Sequence, residues 1–345
     1  HPMFFQGAVD IPMAPAYIFG VMQSYAQPFK LGEVGEPVGA IDQDRIYAIG
    51  GRIGPVPPRI PVSVRVRGEA VSIPRSYAFS CWKNADMTPA MVMAAVQESF
   101  LGSAAMSSKL TADMDYTLTL GDGRGIGKSL RASADGFVIM DPLTELALDL
   151  FLLLRNPFAE ADVASIDVGI RTWPGYREDA LFSVRGDRDA YKAGETVRLT
   201  LTLRPWRGED YDREISVRLP DHLEPGPYVI HVTDADDTER MDTMMEPGMF
   251  MPRSFEDVVR LVRRSDYPAQ KLRVSLIEPA LDLALRDATL RKLPSSVSNL
   301  IQATAAPRDQ QVAIGRLLAS QTLETPGPVH GSQAVLIRIV DHFDE

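Results

Sequence analysis

The sequence predicts a mainly β protein with α+β insertions. Two observations predict this class. In several stretches apolar residues alternate with polar ones, which is the period of a half-buried strand. Only a few stretches instead carry a helix start signal followed by apolar residues at helical spacing. The 345 residues are enough for two or three domains, and the composition, 45% hydrophobic and 24% charged, is that of a globular protein.

Residues 1–75 are predicted to form a turn-rich β segment. Gly and Pro residues separate short apolar runs throughout this segment. At its end, in "IPVSVRVRG", Val62, Val64 and Val66 alternate with polar residues. This alternation predicts a half-buried strand.

Residues 76–175 are predicted to form an α+β domain with two helices. Each helix is expected to start at a capping residue followed by Pro, with Thr88 and Asp141 as the caps. Apolar residues then recur on one face: Val92, Val96 and Phe100 in the first helix, and Leu146, Leu150 and Leu154 in the second.

Residues 176–240 are predicted to form a small antiparallel β-sandwich module, because three runs alternate with period two: 197–203, 215–219 and 228–232. Residues 241–345 are predicted to form an α+β C-terminal region. It has a capped helix beginning at Ser254, with Asp257 three residues later, and strands that extend to "AVLIRIV".

The glycine-rich stretch "GDGRGIGKS" at 121–129 is similar to a phosphate-binding loop. In that motif a Gly occupies the position that is Asp122 here, so the spacing does not match. The flanking segments "YTLTL" and "KSLRAS" look extended. A β-hairpin loop is therefore the predicted structure.

The acidic stretch "TDADDTERMD" has Asp234 and Asp236 at the spacing of a calcium-binding loop. Glu239 stands where such a loop needs Gly, and Met245 where it needs Glu. We expect a solvated loop over residues 234–250. No His has a partner at metal-ligand spacing, so neither a metal site nor a cofactor is predicted.

Charge and cysteine content exclude several function classes. The net charge of −10 argues against nucleic-acid binding, which needs clustered Lys and Arg. The single cysteine, Cys81, rules out an internal disulfide and a multi-cysteine zinc site. The longest apolar stretch, 146–154, is far shorter than the roughly 20 residues of a membrane span.

Three stretches in the first 62 residues carry a family resemblance: "HPMFFQGAVDIPMA", "FKLGEVGEPVGAIDQDRIYAIGGRIG" and "PPRIPV". In this order they resemble the later part of the peptidase domain of the SpoIVB family of serine peptidases, closest to its exported bacterial branch. That branch also carries a β-rich tail that resembles residues 176–340, including "YKAGETVRLTLTLRPWRG" and "LEPGPYVIHV". The resemblance implies that residues 1–75 are the C-terminal part of a peptidase β-barrel, followed by β-sandwich-like modules.

The resemblance also implies a catalytic role for His1, which matches the family's general base. The family's serine is expected in a Gly-Met-Ser-Gly-Ser-Pro stretch ahead of the histidine, and this stretch has no counterpart here. The chain alone is therefore expected to be inactive. Asp10 is the candidate third triad member, although an Asp at that place is as often a turn or strand-start residue. Asp42 and Asp44 are weaker candidates.

Two functions remain open from the sequence. One, which the resemblance implies, is a SpoIVB-like serine peptidase that acts outside the cytoplasm, in the periplasm or cell envelope, on a protein or peptide substrate. The alternative is a non-catalytic cell-envelope β-sandwich protein that binds a protein or a glycan. The serine stretch discriminates between them, because only the peptidase needs a nucleophile.

Overall fold

The computed structural model describes residues 10–23, 28–44, 48–104, 109–135, 137–245, 252–264, 269–285, 289–290 and 310–341. With 52% strand and 18% helix, it confirms the mainly β class with α insertions. None of the helices in these ranges is long and apolar enough to cross a membrane.

The first part of the chain forms two small sheets. Its strands are Ile11–Met13 (β1), Ala16–Met22 (β2), Phe29–Val34 (β3), Gly39–Asp44 (β4) and Ile49–Ile53 (β5). Strands β1, β4 and β5 form an antiparallel sheet in the order β1-β4-β5, and β2 pairs with β3. Among the described residues these strands do not close into a barrel.

A five-stranded sheet with helices packed against it follows. Its elements are Arg59–Gly68 (β6), Arg75–Trp82 (β7), Thr88–Leu101 (α1), Leu110–Leu120 (β8), Gly125–Ala134 (β9), Met140–Leu154 (α2) and Val163–Pro174 (β10). The strand order is β7-β6-β10-β8-β9, and only the pair β6 and β10 is parallel. The apolar residues predicted for β6 and α1 lie in one core, since Val64, Val92 and Val96 are fully buried.

Both helix caps predicted from the sequence are wrong. Helix α1 already includes Thr88, and α2 begins one residue before Asp141; neither helix has a side-chain cap hydrogen bond. The Thr88 hydroxyl instead donates to the carbonyl of Trp82 at 2.7 Å and accepts from the Asn84 amide at 2.9 Å. The Thr88 hydroxyl therefore links the start of α1 to the end of β7 by hydrogen bonds.

The glycine-rich stretch forms the predicted hairpin loop between β8 and β9. The amide of Leu120 donates to the carbonyl of Arg124 at 2.8 Å, and the Asp122 carboxylate accepts from the Arg124 amide at 3.0 Å. Gly123 has φ +85°, which suits a residue without Cβ.

A β-sandwich forms the rest of the described structure. Its strands are Asp179–Gly186 (β11), Ala190–Tyr191 (β12), Thr196–Pro205 (β13), Tyr211–Arg218 (β14), Gly226–Thr233 (β15), Lys271–Leu285 (β16), Thr289–Leu290 (β17), Gln310–Glu324 (β18), Val329–His330 (β19) and Gln333–Ile339 (β20). One sheet has the order β14-β13-β11-β19. The other has the order β12-β20-β15-β16-β17, with β18 paired to β16. Strands from both sides of residue 240 share one core.

Two further helices are Ala235–Met245 (α3) and Phe255–Arg264 (α4). Helix α3 packs on β15, β16 and β18 of the sandwich, whereas Val258, Val259 and Val262 of α4 lie in the core of the five-stranded sheet. In α4, Ser254 Oγ accepts from the Asp257 amide at 3.1 Å, which confirms the predicted capped start. The loop predicted over 234–250 is wrong for residues 235–245. They form a helix because the Asp234 carboxylate accepts from the Asp237 amide at 2.9 Å, as an N-cap does.

Candidate functional site

The residues predicted for the peptidase site lie at the start of the chain. His1 lies outside the described residues. Asp10 immediately precedes β1 and is exposed; its Oδ1 accepts from the Arg52 guanidinium at 2.7 Å. Arg52 also lies 3.5 Å from Asp42. The sheet of β1, β4 and β5 thus brings Asp10 and Asp42 together around Arg52. The catalytic roles assigned to His1 and Asp10 stay predictions. Asp44 ends β4.

The sheets around Asp10 expose an unusual amount of apolar surface. Among the described residues up to 53, Ala40 is the only apolar residue that is fully buried. Phe19 is 74% exposed and Ile53 is 85% exposed. The other large apolar residues exposed here are Tyr17, Ile18, Val21, Met22, Phe29, Val34, Val38 and Ile49. Large contiguous apolar surfaces are uncommon on soluble monomers and mark sites of association.

A second candidate site lies where the five-stranded sheet meets the sandwich. Two cavities of about 420 and 470 Å³ share Ser133, Glu178 and His330 in their linings. We call the two cavities together the junction groove. Its walls come from β9, the first turn of α2, α3, β11, β19 and the turn between β13 and β14.

One half of the junction groove is aromatic and cationic. The rings of Tyr176 and Trp206 lie 5.3 Å apart at an interplanar angle of 52°. The Lys109 ammonium group lies 5.5 Å from both ring centroids, and the Arg207 guanidinium lies 4.3 Å from that of Trp206. Gly175, with φ +77°, permits this packing, since a Cβ there would lie 2.9 Å from Trp206.

The other half of the junction groove is acidic. Its lining includes Asp141, Glu145, Asp236 and Glu239, and Glu178 lies where the two halves meet. Partial burial of the carboxyl group, followed by the negative charge of Asp234, raises the pKa of Asp236. In the part of the chain that the structure describes, no three His, Cys, Asp or Glu side chains are grouped so as to hold a metal ion.

The centre of the junction groove contains the residue types of a hydrolytic triad. His330 Nδ1 lies 3.8 Å from Glu178 Oε1, which is beyond hydrogen-bond distance. The Ser133 hydroxyl is 2.8 Å from that of Thr111 and makes no hydrogen bond to His330 within the described ranges. A serine nucleophile needs a base within hydrogen-bond reach, so this arrangement provides polar lining and no activated serine.

Lys128, the lysine of the glycine-rich stretch, lies at the centre of a buried ion cluster. Its side chain is 0% exposed and lies 2.7 Å from Glu145 and 2.9 Å from Asp149. The Tyr116 hydroxyl donates to Asp149 at 2.5 Å. Burial raises the pKa of Asp149 to about 6, although Lys128 and Tyr116 act in the opposite direction. Burial opposes the charge on Lys128, but the two carboxylates outweigh it and its pKa is raised.

Sequence reasoning missed both the junction groove and the buried ion cluster. The residues lining the groove range from 130 to 330, so no spacing rule connects them. The one local signal was "RPWRG", in which a Trp and two Arg residues stand at a hairpin turn.

Scans of protein-family models, of curated proteins and of solved structures each return no match to this chain.

Proposed function

We propose that this chain is part of a serine peptidase of the SpoIVB type that acts outside the cytoplasm on protein or peptide substrates. In this proposal His1 is the general base, residues up to about 75 belong to the peptidase domain, and the remaining domains are accessory. The observation that carries the proposal is the ordered set of three motifs within the first 62 residues.

The exposed apolar surface supports the proposal. Among the described residues between 10 and 53, only Ala40 is a fully buried apolar residue, so these strands have no core of their own with which to offset the entropy of ordering the backbone. Strands from the rest of a peptidase domain would cover Phe19, Ile53 and their neighbours. The small sheets would then be the outer portion of a larger β structure.

The contacts of Asp10 are compatible with the role of orienting His1. The hydrogen bond from Arg52 uses Oδ1, and Oδ2 accepts no hydrogen bond from any described residue. In a triad, Oδ2 would accept from the imidazole Nδ1–H and so hold the other ring nitrogen ready to take the serine proton. His1 would then return that proton to the leaving amine as the peptide bond breaks.

Cleavage of β-casein by the protein carrying the serine segment tests the proposal. We expect His1→Ala to abolish cleavage and Asp10→Asn to lower kcat by about 10⁴-fold, as in the serine triad. The chain of 345 residues alone should not cleave. His222→Ala, which truncates an exposed histidine in the sandwich, is the matched control and should retain full activity. Equal rates for His1→Ala and His222→Ala would overturn the assignment.

A second candidate function is a non-catalytic cell-envelope protein that binds a protein or a glycan. The junction groove favours it, because Tyr176 and Trp206 offer aromatic surface beside cationic and acidic side chains. The sequence ahead of His1 decides between the two candidates. A Gly-Met-Ser-Gly-Ser stretch there supports the peptidase, and its absence from the whole gene supports the binding protein.

A further inference from the structure

We propose that the junction groove binds an extended peptide that adds as a strand to β9 and places a Lys or Arg side chain in the acidic half. The inference does not rest on His1 or on peptidase activity, because every residue that lines the groove lies between 130 and 330.

The first support is an open sheet edge in the junction groove. Strand β9 is last in the order β7-β6-β10-β8-β9, and no other described strand pairs with its outer side. Residues Leu130, Arg131, Ala132 and Ser133 of β9 line the cavity. An edge strand presents unpaired backbone N–H and C=O groups, and an extended peptide can satisfy them by pairing alongside.

The second support is a group of carboxylates beside that edge. Asp141, Asp236 and Glu239 line the same cavity, and none of them makes an ion pair with a Lys or Arg among the described residues. A Lys or Arg side chain of the peptide would supply the missing cation. Two other charged residues of this cavity are already paired: Arg131 with Asp113, and Glu145 with Lys128.

The third support is a fixed cation in the opposite half. Arg207 is the only non-glycine residue with positive φ, +62°, among those described. This conformation belongs to the turn between β13 and β14, in which the Gly208 amide donates to the Pro205 carbonyl at 3.2 Å. The guanidinium stacks on Trp206 and has no carboxylate partner within the described ranges. A carboxylate of the bound peptide would fit there, so the charges along the groove favour a peptide with a basic residue at one end and an acidic residue at the other.

Fluorescence anisotropy with a labelled acetyl-Lys-Val-Thr-Val-Glu-amide peptide tests the inference on the 345-residue chain. We expect saturable binding that weakens at high salt, because the charges are solvent-accessible. Asp141→Asn/Glu239→Gln should weaken binding at least about 10-fold. The matched control is Glu33→Gln/Glu160→Gln, which removes the same charge from exposed sites outside the groove and should bind as the unmodified chain does.

A second peptide tests the strand pairing separately from charge. Methylation of the backbone nitrogens of the central Val-Thr-Val removes donors that β9 would use while the peptide keeps its charges. It should bind at least about 10-fold more weakly. Circular dichroism verifies that each variant is folded.

Three results would overturn the inference. One is an absence of binding by the folded chain. Another is equal loss in the two double variants, which would indicate attraction to net charge alone. The third is equal binding of the methylated peptide, which would exclude pairing with β9. Saturable binding of an uncharged oligosaccharide in place of the peptide would assign the groove to glycans instead.

Discussion

Replacing Lys128 by Met removes the ammonium group between Asp149 and Glu145 while keeping a long apolar side chain. Glu145 is 29% exposed and can turn toward solvent, but Asp149 is only 3% exposed. The variant therefore leaves Asp149 buried without its cation. Breaking a buried pair from one side typically costs about 3–5 kcal/mol.

The pH dependence of this cost follows from the pKa of Asp149. Its folded value, about 6, lies above the ordinary 3.8, so the contribution of Asp149 to stability falls as pH rises from about 4 to about 6 and is constant above that. Loss of Lys128 raises the folded pKa further, because the cation favours the carboxylate. In the variant, stability therefore continues to fall with pH above pH 6, by about 1.4 kcal/mol per pH unit, until the new pKa is reached. Between pH 6 and pH 8 the cost should therefore grow, by at most about 3 kcal/mol.

Urea unfolding measures this cost in a Trp206→Phe background. The remaining tryptophans, Trp82 and Trp173, lie in β7 and β10, so their fluorescence reports on the five-stranded sheet that contains Lys128. Lys128→Met combined with Asp149→Leu is the control; it should recover most of the stability and lose the added pH dependence. A Lys128→Met cost below about 0.5 kcal/mol, the range of ordinary surface substitutions, at both pH values would refute the buried cluster.

Three further predictions concern stability and reactivity. Gly68→Ala should destabilise the five-stranded sheet by more than the ~1–3 kcal/mol of left-handed strain, because its Cβ would lie 2.2 Å from a β10 carbonyl oxygen. Gly123→Ala, with open space around it, should cost the strain alone when both are measured by urea unfolding. Asp242→Ala should lower the free energy of unfolding of the sandwich by about 3 kcal/mol, because it leaves the largely buried guanidinium of Arg273 without its carboxylate partner. Thermal unfolding checks this. Burial raises the pKa of the Cys81 thiol, so Ellman's reagent should react with it far more slowly in the folded chain than in urea.

The period at which apolar residues recur and the residues at turns predicted much of the fold. The alternation that places Val62 and Val64 in one core and Leu199 and Leu201 in the other follows from the geometry of a strand with one buried face. The hairpin at Gly123 followed from turn residues between extended runs. These signals are local, so a single sequence is enough to recognise them.

Features that depend on contacts distant in sequence were not predictable. Helix α3 has an acidic, weakly apolar sequence that resembles a loop, and it is ordered by the cap at Asp234 and the ion pair between Asp242 and Arg273. The groove depends on Ser133, Glu178 and His330 meeting across two domains. The spacing of residues along the chain does not predict such long-range contacts. For His1 and Asp10, only the family resemblance provides a role.

The most direct test of the proposed peptidase function is to identify the serine that a fluorophosphonate probe labels. The protein carrying the serine segment is treated with the probe, digested and analysed by mass spectrometry, in parallel with its His1→Ala variant and with the 345-residue chain alone. The proposal predicts one labelled serine, ahead of His1, with labelling lost in His1→Ala and absent from the chain alone. Labelling of a serine within these 345 residues, with Ser133 beside His330 as the first to inspect, would contradict it.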